Sequence, residues 1–141
     1  MKINKKGVCV AILLVYIGVL FFVTVLSRVP SAKNSIQTEW FWGYKVDDPN
    51  IRYGDNLVNL LLYIPIGCLA GIIAPKHKLL TAMLVGFFLS ETVECSQLIW
   101  HRGVFDVDDL FNNTLGAFVG GLIVVLTIGI RNKTTKKEIK Q

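Results

Sequence analysis

GVCVAILLVYIGVLFFVTVL, residues 7–26, is an uncharged stretch of 20 residues near the start of the chain. At about 1.5 Å of rise per residue, a helix of this length crosses roughly 30 Å of hydrocarbon. Backbone groups in lipid must bond to one another, so the stretch is predicted to form a transmembrane helix. It follows Lys2, Lys5 and Lys6 and exceeds the roughly 7–15 residues of a cleavable hydrophobic region. We therefore expect an uncleaved signal anchor.

Three further runs of 18 to 21 residues lie at residues 57–74, 79–99 and 110–130. The first is uncharged, the second is apolar apart from Glu91, Glu94 and Gln97, and the third is apolar apart from two asparagines. Hydrophobic residues make up 52% of the 141-residue chain, and they are collected into runs rather than spread as amphipathic patterns. The sequence therefore predicts an all-α membrane protein in which four transmembrane helices form a compact bundle. A single domain is expected over residues 1–141, with one long outer connection at residues 27–56.

The distribution of lysine and arginine predicts the orientation of the helices. Ten of these residues lie in the two terminal segments and the short turn at residues 75–78, and five lie in the connections 27–56 and 101–109. Positive residues favour the cytoplasmic side, so both termini of this multi-pass membrane protein are expected there. The net charge of +5 then suits contact with anionic lipid and gives no reason to expect nucleic-acid binding.

Polar residues of three predicted helices each fall on one narrow face, at about 100° per residue. They are Asn56, Asn59 and Tyr63 on the second helix, Ser90, Glu94, Gln97 and His101 on the third, and Asp106, Asp109 and Asn113 on the fourth. The first helix ends near Arg28, and Arg102 lies in the outer turn after the third helix. Because the second and fourth helices run inward and the third runs outward, we expect these groups to meet in one cavity open to the outer leaflet.

The chemistry of this set suggests two kinds of site. Arginine and amide groups suit the recognition of a phosphate or sugar headgroup, which makes Arg28, Asn59, Gln97, Arg102 and Asn113 candidate substrate-binding residues. The carboxylates Glu94, Asp106 and Asp109 are candidate acid/base groups if the protein is an enzyme. The spacing matches no metal motif, so no metal and no cofactor are predicted. The structural alternative is that the carboxylates simply pair with the two arginines and hold the helix ends together.

Two other features have structural interpretations. The aromatic cluster at residues 40–44 (WFWGY) suits the headgroup layer, where it would anchor the long connection, or alternatively cover the cavity as a lid. Cys9, Cys68 and Cys95 all fall inside predicted helices, and an odd number of buried thiols argues against a disulfide framework. They are interpreted as packing residues.

Three segments together resemble the VanZ-like family of small membrane proteins, named for a component linked to teicoplanin resistance in Gram-positive bacteria. The segments are NLLLYIPIG (residues 59–67), SETVECSQ (residues 90–97) and RGVFDVDDLFNNTLG (residues 102–116). The positions characteristic of the family fall on residues already placed in the cavity: Asn59, Glu94, Gln97, Arg102, Asp106, Asp109 and Asn113. The resemblance implies a location in the bacterial plasma membrane, a link to the cell envelope and lowered lipoglycopeptide sensitivity. It implies no defined reaction.

Three hypotheses of function follow from the sequence. The favoured one is an outer-leaflet protein that binds a lipid-linked cell-wall precursor or a lipoglycopeptide, with membrane lipids as its other partners. The second is an enzyme acting on a lipid or lipid-linked headgroup. The third is a transporter component or an assembly partner of other membrane proteins, although a transporter site is expected near the midplane of the bilayer.

Overall fold

The computed structural model of the protein describes residues 4–30, 35–40 and 49–138. The elements in chain order are α1 (Lys5–Phe21), which continues as a π-helical segment (Phe22–Leu26), β1 (Ile36–Gln37), α2 (Pro49–Ile73), α3 (Lys78–Ile99), β2 (Phe105–Asp106) and α4 (Val107–Glu138). Four helices are long and apolar enough to cross a membrane, and they pack together. The predicted all-α bundle of four transmembrane helices is therefore confirmed.

Two helices extend beyond their predicted bounds. Helix α2 begins at Pro49 rather than at residue 57, and α4 continues to Glu138 rather than ending at residue 130. The predicted bounds followed the apolar runs. In α4 the run is followed by RNKTTKKE, whose Arg, Lys and Glu residues favour helix. Helix α2 begins at Pro49, a residue suited to the first helical position. Pro65 lies inside α2 without ending it. Of the aromatic cluster at residues 40–44, only Trp40 belongs to the described residues, and its side chain is exposed.

The tightest contact in the bundle joins α2 and α4 through glycine. A Cβ atom at Gly67 would lie 2.0 Å from the carbonyl oxygen of Ala117, and one at Gly120 would lie 2.1 Å from that of Ile64. A Cβ atom at Gly116 would lie 2.1 Å from the carbonyl oxygen of Leu60. These two helices run in the same direction, and small residues let their backbones touch directly.

Helix α3 packs antiparallel against α4 through glycines that each face the side chain of an alanine. A Cβ atom at Gly86 would lie 2.3 Å from the Cβ of Ala117, and one at Gly121 would lie 2.7 Å from the Cβ of Ala82. Helix α4 is therefore the centre of the bundle, with α2 and α3 both held at short range against its small residues.

Helix α1 is more peripheral, and most of its apolar side chains are exposed. The hydroxyl of Tyr16 in α1 donates a hydrogen bond to the carbonyl oxygen of Leu62 in α2 at 2.9 Å. Leu20 and Val25 are buried in the core with Tyr63 and Ile66. The far end of α1 is therefore fixed to the bundle, while much of its length faces outward.

We predict that Gly120→Ala destabilises the protein by about 1–3 kcal/mol, because the new methyl group overlaps the backbone of α2. Gly129→Ala is the matched control in the same helix, since a Cβ atom there would meet nothing within 4 Å. Thermal unfolding in detergent compares the two variants. Equal melting temperatures would contradict the close contact between α2 and α4.

Candidate functional site

The polar residues gather at one end of the bundle, where α1 and α3 end and α2 and α4 begin. We call this the polar end. It contains a cavity of about 490 Å³ lined by residues of all four helices and of the turn after α3. The polar lining residues are Arg28, Asp55, Asn59, Gln97, Asp106 and Asp109. Val23, Val58, Leu62 and Val104 form an apolar edge. Of the residues that were expected to share one cavity, Arg28, Asn59, Gln97, Asp106 and Asp109 line this one.

The carboxylates of Asp106 and Asp109, at the start of α4, both line this cavity. The Asp106 carboxylate accepts a hydrogen bond from the backbone N–H of Asp108 at 2.9 Å, which caps the first turn. Asp108 and Asp109 lie in that turn, where the positive end of the helix dipole favours negative charge. Residues 36–37 pair in parallel with residues 105–106, so the connection after α1 is tied to the start of α4.

Glu94 lies below the cavity on α3 and is almost fully buried, with 2% of its surface exposed. Its Oε2 atom accepts a hydrogen bond from the backbone N–H of Asp106 at 3.0 Å, which links the end of α3 to the start of α4. The Asp109 carboxylate is hydrogen-bonded by the side chain of Asn59. Glu94, Asp106 and Asp109, the three candidate acid/base residues, therefore lie together.

Polar groups continue inward from Glu94 along the predicted faces of α2, α3 and α4. The side-chain amide of Asn113 donates to the hydroxyl of Ser90 at 2.8 Å, and both side chains are buried. The Tyr63 hydroxyl is buried beside Ser90. Among the residues that the structure describes, neither this hydroxyl nor Oδ1 of Asn113 has a hydrogen-bond partner of acceptable geometry. Such groups cost about 1–3 kcal/mol each, which is a reason to consider a role beyond packing.

Gln97 and Arg28 form the opposite side of the cavity. The side-chain amide of Gln97 donates to the carbonyl oxygen of Thr24 at 3.0 Å and so joins α3 to the end of the first transmembrane helix. Gly103 makes room for both side chains, because a Cβ atom there would lie 2.8 Å from Oε1 of Gln97 and 3.2 Å from Nη1 of Arg28. Arg28 is exposed and is the only cation among the described residues that line the cavity.

Arg102 lies apart from this lining. Its Nη1 atom donates to the carbonyl oxygens of Val25, Leu26 and Arg28, at 3.3 Å to Val25 and 3.0 Å to Arg28. These carbonyls end the π-helical segment and have no continuing helix to bond them. These bonds give Arg102 a structural role that differs from the predicted pairing with carboxylates, because its partners are backbone carbonyl oxygens. The substrate-binding role of Arg102 stays a prediction.

The placement of His101 on the third helix is wrong. Helix α3 ends at Ile99, and His101 adopts a left-handed backbone conformation with φ 56°. The reversal of the chain turns the imidazole away from the polar face, and the side chain is exposed. Among the described residues, no group of three or more His, Cys, Asp or Glu side chains is arranged to hold a metal ion.

A second pair of buried polar residues was missed by the sequence analysis. Asp108 and Asn112 are both buried, and the amide of Asn112 donates to the carbonyl oxygen of Asp108 at 2.8 Å. Asn56, which the sequence places on the polar face of the second helix, is buried as well. Asp108 and Asn112 are four residues apart and so share a face of α4, about 100° from the face of Asp109 and Asn113. That spacing was the available signal. A search for one polar face on each helix overlooked it.

The fold and the cavity together define a multi-pass membrane protein with a polar site at one end of a four-helix bundle. The chain belongs to the VanZ/LLP1 family, whose family model matches residues 9–128. The resemblance found in the sequence is thereby confirmed. No curated protein and no solved structure gives a significant match to the chain.

We predict that Arg102→Ala lowers the stability of the folded protein by about 1.5–3 kcal/mol, the range for hydrogen bonds that involve a charged group. Arg102→Lys should recover part of this loss, because one ammonium reaches fewer of the carbonyls than the guanidinium does. Arg131→Ala, an exposed change at the other end of the bundle, is the control. Unfolding in detergent measures all three. An unchanged melting temperature for Arg102→Ala would show that the hydrogen bonds of Arg102 do not stabilise the end of the first transmembrane helix.

Proposed function

We propose that the cavity at the polar end binds the headgroup of a lipid-linked cell-envelope molecule or of a lipoglycopeptide that enters from the outer leaflet. The supporting observation is the two-sided lining of the cavity. Polar side chains from all four helices form one part, and Val23, Val58, Leu62 and Val104 form the other. Val23 and Val58 are more than half exposed on the membrane-facing side of their helices. A molecule with a polar head and an apolar chain satisfies both surfaces.

The charge of the lining restricts the headgroup further. The described side chains contribute one guanidinium, from Arg28, and three carboxylates, from Asp55, Asp106 and Asp109. A bare phosphate would meet more repulsion than attraction in this setting. A headgroup with hydroxyl or amine donors for the carboxylates and one acceptor group for Arg28 is complementary. Sugar and peptide headgroups of cell-wall precursors and of lipoglycopeptides have this composition.

The lipids that co-purify with the protein test this proposal. Mass spectrometry should find one glycosylated or peptide-bearing lipid enriched over the bulk membrane in the wild type. Arg28→Ala should reduce that enrichment at least about tenfold, because loss of one charge-assisted hydrogen bond is worth about 1.4 kcal/mol or more. Arg131→Ala is the control and should retain the lipid. Bulk membrane composition in every sample would contradict the proposal.

A membrane enzyme acting on the same headgroup is the second candidate, and the cluster of Glu94, Asp106 and Asp109 favours it. Glu94→Gln and Asp109→Asn preserve shape while they remove the charge. In an enzyme they should lower turnover about 10²–10⁴-fold with the lipid still bound, and unreacted lipid should accumulate. In a binding protein the two variants should retain less of the lipid. The lipid itself should be unaltered, and no reaction product of it should be found in any sample.

A further inference from the structure

Glu91 lies on the side of α3 that faces away from the cavity. It is exposed, whereas Ser90 and Glu94, its neighbours on the polar face, are buried in the bundle. The side chains around it on the outward face are apolar and exposed, with Leu84 at 45% and Phe88 at 59%. On a spanning helix, this is the surface that faces lipid.

Glu91 lies within the span of α3, away from its polar end. It lies eight residues before Ile99, the last residue of α3, which places its Cα about 12 Å below that end at 1.5 Å per residue. A glutamate side chain is too short to cover that distance. A charged group at such depth is unfavourable by about 2.5–3.5 kcal/mol on insertion scales, and more by other measures.

The chain itself does not neutralise this group. Glu91 makes no hydrogen bond and no ion pair with any residue of the described chain. The nearest hydroxyl on the outward face, that of Thr92, donates to the carbonyl oxygen of Phe88 at 2.7 Å. The following one, Ser96, donates to the carbonyl oxygen of Thr92 at 2.7 Å. Both donors are thus directed to backbone groups.

We propose that Glu91 and the adjacent apolar side chains Leu84, Phe87 and Phe88 form a docking face for a transmembrane helix of another membrane protein, which carries a lysine or arginine at matching depth. An ionised carboxylate only accepts hydrogen bonds, so a basic side chain is its complement in lipid. The apolar side chains supply the packing on either side of that pair. This role is separate from headgroup binding, since Glu91 does not line the cavity.

A second copy of this chain does not meet the requirement. A two-fold dimer through this face would place one Glu91 against the other, because such an interface is self-complementary. The exposed part of α3 in the described chain offers no lysine or arginine near that depth, since Lys78 lies 13 residues away at the opposite end. Charge complementarity therefore points to a different protein.

Photo-cross-linking in intact bacterial membranes tests the proposal. Phe88 is replaced by a benzoyl-phenylalanine in the full-length protein, with and without Glu91→Leu, and the cross-linked peptides are sequenced by mass spectrometry. We expect one membrane protein whose linked span contains a lysine or arginine, and at least a tenfold loss of that adduct in Glu91→Leu. The same probe at Val15, exposed on α1, is the control and should give adducts that do not respond to Glu91→Leu.

Several outcomes would overturn this assignment. They are adducts with a second copy of the chain, adducts with lipid alone, a linked span without a basic residue, and an adduct that persists undiminished in Glu91→Leu. Stability provides an independent check, because Glu91 has no partner within the described chain. Glu91→Leu should therefore leave the melting temperature of the purified protein unchanged or raise it, and a decrease would mean that Glu91 stabilises this chain instead.

Discussion

The backbones of α2 and α4 are in direct contact. This distance is possible only because glycine, which has no Cβ atom, occupies the contact positions. Gly67, Gly116 and Gly120 make this contact within about two turns of α2. Between α3 and α4, Gly86 and Gly121 each face the Cβ atom of an alanine. Lipid tails are as apolar as leucine side chains, so helices in a bilayer associate through close packing and hydrogen bonds rather than through hydrophobic burial. The glycines therefore determine the separation of the helices, and with it the width of the cavity above them.

Polar contacts at the end of the bundle depend on that spacing. Glu94 reaches the backbone of Asp106, Gln97 reaches the carbonyl oxygen of Thr24, and Arg102 bonds the last carbonyls of the first transmembrane helix. Each of these bonds joins α3 or the turn after it to another helix. Structural bonds thus account for Gln97 and Arg102 in large part. Asp109 also accepts a hydrogen bond from Asn59 of α2. It lines the cavity together with Asp55, and these lining carboxylates favour a binding role for the cavity.

The four spans were predictable from the sequence because an uncharged apolar run of about 20 residues is rare outside membrane-spanning helices. The meeting of Asn59, Glu94, Gln97 and Asp109 was predictable as well, since helical periodicity and alternating direction determine both angle and depth. Two features could not be obtained in this way. The end of α3 at Ile99 removed His101 from the polar face, and the role of Arg102 depends on where the π-helical segment leaves its carbonyls. The spacing of Asp108 and Asn112 was readable from the sequence, whereas their burial follows from the contacts of α4.

The central claim is that the cavity opens to the outside of the membrane, and labelling of single cysteines tests it most directly. Serine replaces Cys9, Cys68 and Cys95, and one cysteine is then introduced at Asp55, in the cavity lining, or at Lys76, in the turn between α2 and α3. A membrane-impermeant maleimide applied to intact cells should label position 55 and leave position 76 unlabelled until the membrane is opened. Labelling of position 76 but not of position 55 in intact cells would contradict the account.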